Sequence, residues 1–292
     1  MKTTMERNEP KIQTSLAVMS EADFNRLSQF IYKVCGIKIT PVKKVMIESR
    51  LSKRLRVLKM SNFREYCDYL FSPRGMDEEL VHMIDIVTTN KTDFFREAQH
   101  FDFLTNKAVP ALMQQHSAGI RRKLRVWSAG CSSGEEPYTL AMTLSEMQER
   151  YEGFDFEILA TDISTRVLQK AALGIYEEEK VAPVPMNMKK KYLLRGRGGQ
   201  QGQVRITPEL RKMIRFSRLN FMDDDFGIRD RMDIIFCRNV IIYFDRVTQE
   251  RLLKRFCQQL VPGGFIFMGH SETLNGMDLP LTLVAPTTYR KK

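Results

Sequence analysis

Residues 126 to 138, Val-Trp-Ser-Ala-Gly-Cys-Ser-Ser-Gly-Glu-Glu-Pro-Tyr, concentrate more chemistry than any other stretch of the chain: an apolar run ends in small residues and a helix begins directly after them. The pattern predicts a strand, a tight loop and a helix. Gly130 and Gly134 leave the backbone bare for a ligand to approach, and Glu135 and Glu136 set negative charge beside it. Two acids at that place repel a phosphate. The ligand selected at this end is cationic or neutral, and S-adenosylmethionine fits, because it has a sulfonium, an ammonium and no phosphate.

Further polar residues sit where such a fold would use them. Apolar runs at 124–128, 156–161, 214–219, 232–237 and 264–268 predict strands, and helices fit at about 134–150, 164–172 and 246–260. Repeated strand-then-helix order predicts a mainly parallel sheet covered on both faces, with ligands taken at the carboxyl ends of its strands. Asp162 follows the second strand and can accept both hydroxyls of a ribose, although it lies farther from the glycine loop than the roughly 20 residues usual in dinucleotide folds. Asn220 ends the third strand, and Arg238 with Asn239 ends the fourth. One polar residue at a strand end is ordinary, but four on one edge of one sheet mark a site.

The elements before that sheet are of another kind. Residues 1–18 predict a disordered tail, and 19–90 predict an all-helical domain of short amphipathic helices. Asp23, Phe24, Leu27, Phe30, Ile31 and Val34 mark the first helix, Gly36 stops it, and 77–87 forms the last. The polar run Thr88-Thr89-Asn90-Lys91-Thr92-Asp93, closed by Phe94, Phe95 and Arg96, leads into a second domain, 91–292. Within it, 174–212 is too long for a simple helical crossover. Residues 192–195 and 203–206 flank a glycine-rich turn (Gly196, Gly198, Gly199, Gly202) and predict a small antiparallel β insertion. That turn lacks the Lys-Ser/Thr pair of a phosphate loop. A partly open edge of the inserted sheet can receive an extended peptide as an added strand.

Composition bounds the rest. Residues 1–13 lack the apolar stretch of a signal peptide, and no run approaches the roughly 18 apolar residues of a membrane helix, so a cytosolic protein is expected. The five cysteines (Cys35, Cys67, Cys131, Cys237, Cys257) form no Cys-x-x-Cys pair, and the histidines (His82, His100, His116, His270) are scattered, which predicts reduced thiols and no metal site. A net charge of +11 predicts an acidic partner: nucleic acid, an anionic membrane surface or a carboxylate-rich protein. From 41 to 59 there are seven basic residues against one acid, Glu48. Ile47, Leu51, Leu55 and Leu58 make an apolar helix face there. Lys43, Arg50 and Arg54 share another, a candidate docking surface.

Together these residues resemble the chemotaxis receptor methyltransferases, the CheR family. The resemblance is carried by Thr88-Thr89-Asn90 with Thr92, Phe94-Phe95-Arg96, Gly134-Glu135-Glu136-Pro137-Tyr138, Asp162, the run Cys237-Arg238-Asn239-Val240-Ile241-Ile242-Tyr243-Phe244, Pro262-Gly263-Gly264, and Gly269-His270-Ser271-Glu272. It extends from about Met19 to the carboxyl terminus. Cys131 stands in the glycine loop where a small residue is expected, and a buried thiol is small enough to serve. The resemblance implies a class I methyltransferase-like (Rossmann-like) sheet behind a helical domain. It also implies methyl transfer from S-adenosylmethionine, leaving S-adenosylhomocysteine, to glutamate side chains on the cytoplasmic helices of chemoreceptors. By the same resemblance Asn90, Thr92, Arg96, Glu136, Asp162, Asn220, Phe221, Arg238 and Asn239 line the cofactor site, and Arg96 and Tyr243 stand nearest the transferred methyl. The partners implied are the receptor helices and, at the insertion, a peptide from the receptor carboxyl terminus. The location implied is the cytoplasm, at membrane-bound receptor arrays.

Elementary chemistry is consistent with that expectation. A glutamate with a pKa of about 4.3 is already ionised at neutral pH, so the acceptor needs no general base. Two other classes compete. A nucleic-acid amino-methyltransferase would carry an Asn/Asp-Pro-Pro-Tyr/Phe motif after the fourth strand to grip a flipped base, and the chain reads Arg238-Asn239-Val240-Ile241 instead. A non-catalytic module that only docks on receptors would not need Arg96 and Tyr243.

Overall fold

A computed structural model describes residues 18–292, so the expected tail lies outside the described residues except for the exposed Val18. Two compact units are present. The first holds the described residues up to Phe30 together with Ile39–Val87, and the second holds Ile31–Lys38 and Thr88–Lys292.

Five helices make up the first part of the chain: α1 (Glu21–Cys35), α2 (Lys44–Leu58), α3 (Phe63–Leu70), α4 (Pro73–Glu78) and α5 (Leu80–Val87). Gly36, at φ +71°, ends α1. Asn62 and Ser72 cap α3 and α4 by accepting the amides of Glu65 and Gly75. The segment expected as one helix over 77–87 is broken at Glu79. The Glu79 carboxylate is buried and accepts from Arg54 Nε at 2.8 Å and from Tyr66 Oη at 3.1 Å. A buried carboxylate needs such partners, and removing one typically costs about 3–5 kcal/mol.

The second unit is built on a seven-stranded sheet. Leading into it are α6 (Gln99–Phe103) and α7 (Val109–His116), joined by a π-helical turn and unforeseen in the sequence. Then follow β1 (Leu124–Ala129), α8 (Glu135–Gln148), β2 (Phe156–Asp162) and α9 (Thr165–Leu173). An inserted sheet comes next: β3 (Ile175–Glu177), α10 (Met186–Tyr192), β4 (Leu193–Arg195) and β5 (Gln203–Ile206). The chain returns through α11 (Pro208–Lys212), β6 (Ile214–Arg218), β7 (Met232–Cys237), α12 (Arg246–Gln259) and β8 (Leu260–Met268), and ends in a hairpin of β9 (Leu281–Ala285) and β10 (Thr288–Lys291). The order across the large sheet is β6-β2-β1-β7-β8-β10-β9, with the first five strands parallel and the last two antiparallel.

Alternation along these strands covers both faces. Val126, Ile234, Phe236, Phe265 and Phe267 face one core, while Trp127, Ile235, Cys237, Ile266 and Met268 face the other. Every residue of β7 is buried, which is why its sequence is apolar at every position but Asp233. That buried carboxylate takes both Arg122 Nη atoms at 2.7 and 2.6 Å and the Arg125 amide at 2.9 Å. Because β1 pairs in parallel with β2 on one side and β7 on the other, the strand order reverses at the carboxyl end of β1. That is where open α/β sheets bind ligands.

Candidate active site

The loop after β1 is held by its neighbours. The amides of Gly130 and Cys131 both donate to the Thr161 carbonyl, and the Ser132 amide donates to Asp162 Oδ2 at 2.8 Å. Asp162 Oδ1 accepts the Ser164 amide. The two loop glycines answer to internal packing rather than only to a ligand. A Cβ on Gly130 (φ +85°) would stand 2.5 Å from Val240 Cγ2. On Gly134 (φ +98°) it would stand 2.8 Å from Tyr176 Oη and 2.9 Å from Ala171 Cβ. Tyr176, on β3 of the insertion, donates to the Ser133 carbonyl at 2.7 Å and so buttresses this loop. Cys131 is buried, and burial raises its thiol pKa well above the ordinary value, as suits packing.

The two acids that open α8 differ in role. Glu135 is buried and accepts from Ser133 Oγ, and desolvation raises its carboxyl pKa. Glu136 accepts from Ser128 Oγ at 2.7 Å on one oxygen and from Arg238 Nε at 2.7 Å on the other. Arg238, with its side chain 2% exposed, is the hub of this edge. Besides Glu136 it donates to the Arg96 carbonyl at 2.5 Å, lies 3.3 Å from His100 Nδ1 and 3.5 Å from Glu97 Oε2, and stacks near Phe101 and Phe236. The pKa of His100 is pushed down to about 4, first by burial and then by Arg238. Its Nε2 pairs with Thr287 Oγ1.

Non-glycine residues in the left-handed region gather here: Phe95 (φ +52°), Glu97 (φ +57°), Ser132 (φ +49°) and Asn239 (φ +59°). Such conformations cost roughly 1–3 kcal/mol each and persist only where surroundings enforce them. Arg96 sits between two of them, half-buried, with one Nη donating to the Lys91 carbonyl. The Asn90 carbonyl accepts Ser132 Oγ at 3.0 Å, which ties the 88–96 run to the glycine loop. Asn239 Oδ1 is buried without a hydrogen-bond partner among the described residues.

The edge therefore links Asn90 to Asp162 through Ser132, and Arg96 to Glu136 through Arg238, with Asn239 next along the chain. Tyr243 follows in the short helical turn Ile241–Tyr243. Two expectations change in detail. The Asn220 carboxamide is partly committed: its Nδ2 donates to the Val34 carbonyl at 2.7 Å and its Oδ1 accepts the Met222 amide at 3.1 Å, which leaves one N–H and one lone pair for a ligand beside the Phe221 ring. Phe221 packs edge-on to Trp127 and Phe256. Thr92 makes no hydrogen bond to this edge among the described residues. On α2, Arg54 turns to Glu79 and Arg50 donates to the carbonyls of Ile86 and Val87, so neither presents a bare charge. The exposed bases of that helix are Lys53 and Arg56.

Sequence reasoning gave no role to Glu97, His100 or Glu272, whose meaning is tertiary. The local signals were the i, i+3 spacing of Glu97 and His100 and the place of Glu272 in the Gly269-His270-Ser271-Glu272 motif. Glu97, His100 and His270 bring ligand atoms within 4.8 Å of one another. The Arg238 guanidinium lies against both Glu97 and His100, where a metal would meet a fixed positive charge. The donor set as a whole suits S-adenosylmethionine. The acids Glu135, Glu136 and Asp162 flank the loop, the buried Arg238 is neutralised by Glu136, and Asn239 leaves an acceptor oxygen unmatched. A separate groove of about 560 Å³ lies at the opposite, amino ends of β1, β2, β6 and β7, lined by Lys123, Arg125, Lys212, Arg215 and Arg229, and takes no part in this edge.

Comparison with known proteins agrees with this geometry. Residues 22–88 match the family model described as the CheR methyltransferase all-alpha domain, and 90–290 match that of the CheR methyltransferase SAM binding domain. The chain is 41% identical over 288 residues to a chemotaxis protein methyltransferase of Borreliella burgdorferi, covering 98% of this chain and 100% of that one. It is 40% identical to chemotaxis protein methyltransferase 2 of Pseudomonas aeruginosa (91% and 92% covered), and 38% identical to the chemotaxis protein methyltransferase of Escherichia coli (94% and 93% covered). The chain belongs to the CheR family of S-adenosylmethionine-dependent chemotaxis methyltransferases.

Proposed function

We propose that the protein methylates glutamate side chains on the cytoplasmic helices of chemoreceptors, forming methyl esters. The observation that carries this reading is Arg96, a cation on a strained turn at the cofactor edge, with Tyr243 following the neighbouring strand end. A cation and a phenol suit the steering of a carboxylate, which is ionised at neutral pH without help. When bound, S-adenosylmethionine supplies an activated methyl group on a sulfonium. Glu136, shared with Arg238, receives the ammonium of the methionine part, Asp162 the ribose, and the Asn220–Phe221 segment the adenine. Asn90, Thr92 and Asn239 complete the lining. Arg96 orients the acceptor carboxylate without a tight ion pair, which would lower its nucleophilicity. Positioning of this kind can supply roughly 7 kcal/mol or more of barrier lowering.

The partner surfaces belong to the same proposal. Lys43, with the exposed Lys53 and Arg56, gives α2 a basic side for glutamate-rich helices, while Arg50 and Arg54 brace it from within. In the insertion the strand order is β3-β5-β4, so β4 pairs on one side only, and Leu194 on it is exposed. An extended receptor carboxyl-terminal peptide can add there as a strand and raise local substrate concentration through a flexible linker. No helix among the described residues is long and apolar enough to cross a membrane. The proposed place of action is the cytoplasm, on receptor arrays.

The test is transfer of labelled methyl from S-adenosylmethionine to membranes containing the organism's chemoreceptors, followed by mild alkali. Alkali-labile label released as methanol supports the glutamate ester. Stable label, or none with cofactor binding intact, sinks it.

A further inference from the structure

Glu272 lies four residues beyond β8 and is 3% exposed. Its Oε2 accepts the amides of Asn239 at 2.8 Å and Gly269 at 2.7 Å, and its Oε1 accepts those of Val240 at 2.8 Å and Ile241 at 2.9 Å. A carboxylate has about four lone-pair sites, and these four donors match that capacity. The carboxylate thus joins two loops, one after β7 and one after β8. The same loops meet again where a Cβ on Gly269 would stand 2.5 Å from Asn239 Nδ2 and 2.8 Å from its amide. The His270 amide reaches Glu97 Oε1 at 3.2 Å, which extends the tie to the strained turn that carries Arg96. Burial raises the carboxyl pKa of Glu272, while its four backbone donors act in the opposite direction.

We propose that Glu272 is a positioning residue for methyl transfer: by collecting four backbone N–H groups it holds Asn239 in its left-handed conformation and fixes the start of the turn that delivers Tyr243. Three consecutive amides, 239 to 241, converge on one side chain. That convergence sets the backbone on which the unmatched Asn239 Oδ1 and, two residues after Ile241, the Tyr243 ring are carried. Among the described residues these amides donate to Glu272, so Gln in its place leaves at least one of them facing a donor. The inference rests on the cofactor-edge reading above, but not on the identity of the methyl acceptor.

The experiment measures S-adenosylhomocysteine affinity by calorimetry, and turnover, in the full chain for Glu272→Gln, Glu272→Asp, Asn239→Ala and Leu253→Ala. Leu253 is fully buried in α12 and serves as the control that lowers stability away from the pin. Glu272→Gln is expected to weaken cofactor affinity about tenfold or more. Glu272→Asp should fall between it and the wild type, while Leu253→Ala should lower Tm and leave affinity unchanged. If the Gln protein does not fold, the Asp protein is compared with the control in its place. Affinity that merely follows Tm across all variants overturns the positioning role. If Asn239→Ala binds like the wild type, the cofactor-edge reading fails. If Asn239→Ala weakens binding and the Glu272 variants do not, only the pin fails.

Discussion

The cofactor edge and the inserted sheet use left-handed backbone in opposite ways. At the edge, Phe95, Glu97, Ser132 and Asn239 adopt positive φ without being glycine, enforced by buried carboxylates and Arg238. In the turn between β4 and β5, Gly198 and Gly202 adopt it with nothing within 4 Å of where a Cβ would stand. The first arrangement stores strain to hold atoms in one place, and the second keeps a turn cheap and open. The difference is what a fixed chemical site and the proposed docking surface require. The contrast has one bridge, because Tyr176 on β3 packs against the glycine loop. The base of the insertion therefore touches the glycine loop through Tyr176, and on our reading its tip lies outside the site.

The largest expected effect comes from removing the hub. Arg238→Ala leaves Glu136 without its cation, and a loss of about 3–5 kcal/mol in chemical denaturation is expected, together with loss of cofactor binding. Next is His100. Its folded pKa, about 4, lies below the unfolded value of 6.5, so the unfolded chain binds the extra proton between these limits. Stability from this group is complete above pH 6.5 and is lost as pH falls toward 4, on the order of 3 kcal/mol. His100→Gln should flatten that part of the stability curve. A wild-type slope unchanged by the substitution would remove His100 from the buried network.

Two glycines sharpen the contrast further. Gly134→Ala meets Tyr176 and Ala171 as well as an unfavourable φ and is expected to cost about 2–4 kcal/mol. Gly202→Ala meets only the backbone term, about 1 kcal/mol. Equal costs would mean that the glycine loop is no more crowded than the exposed turn. The smallest effect belongs to α2: Lys53→Ala with Arg56→Ala should leave stability within about 0.5 kcal/mol. It should slow receptor methylation most at low salt, where exposed charges are least screened.

Much of this was legible in the sequence because it depends on local pattern. The apolar run of β7, interrupted only by Asp233, and the small-residue break after β1 announced a parallel sheet and its binding edge. The expected strands at 124–128 and 232–237 differ from β1 and β7 by no more than one residue. Other features depend on partners far along the chain. Helical spacing put Arg50 and Arg54 on a common face but could not show that Glu79, 25 residues from Arg54, would claim one of them. The hairpin of β9 and β10 escaped notice because Thr282, Leu283 and Val284 are all exposed, so its pattern lacks the alternation of a half-buried strand. Glycines in the 126–138 loop announced a tight turn correctly, yet the crowding that requires them comes from Val240, Ala171 and Tyr176.

The most direct test of the division between edge and tip is a calorimetric titration of S-adenosylhomocysteine into a protein whose 197–202 turn is replaced by Asn-Gly, which keeps Gly196 opposite Gln203. If the cofactor is held by the sheet edge alone, affinity stays within about twofold of the wild type. A loss of about tenfold or more at unchanged Tm would contradict the account and make the tip of the insertion part of the cofactor site.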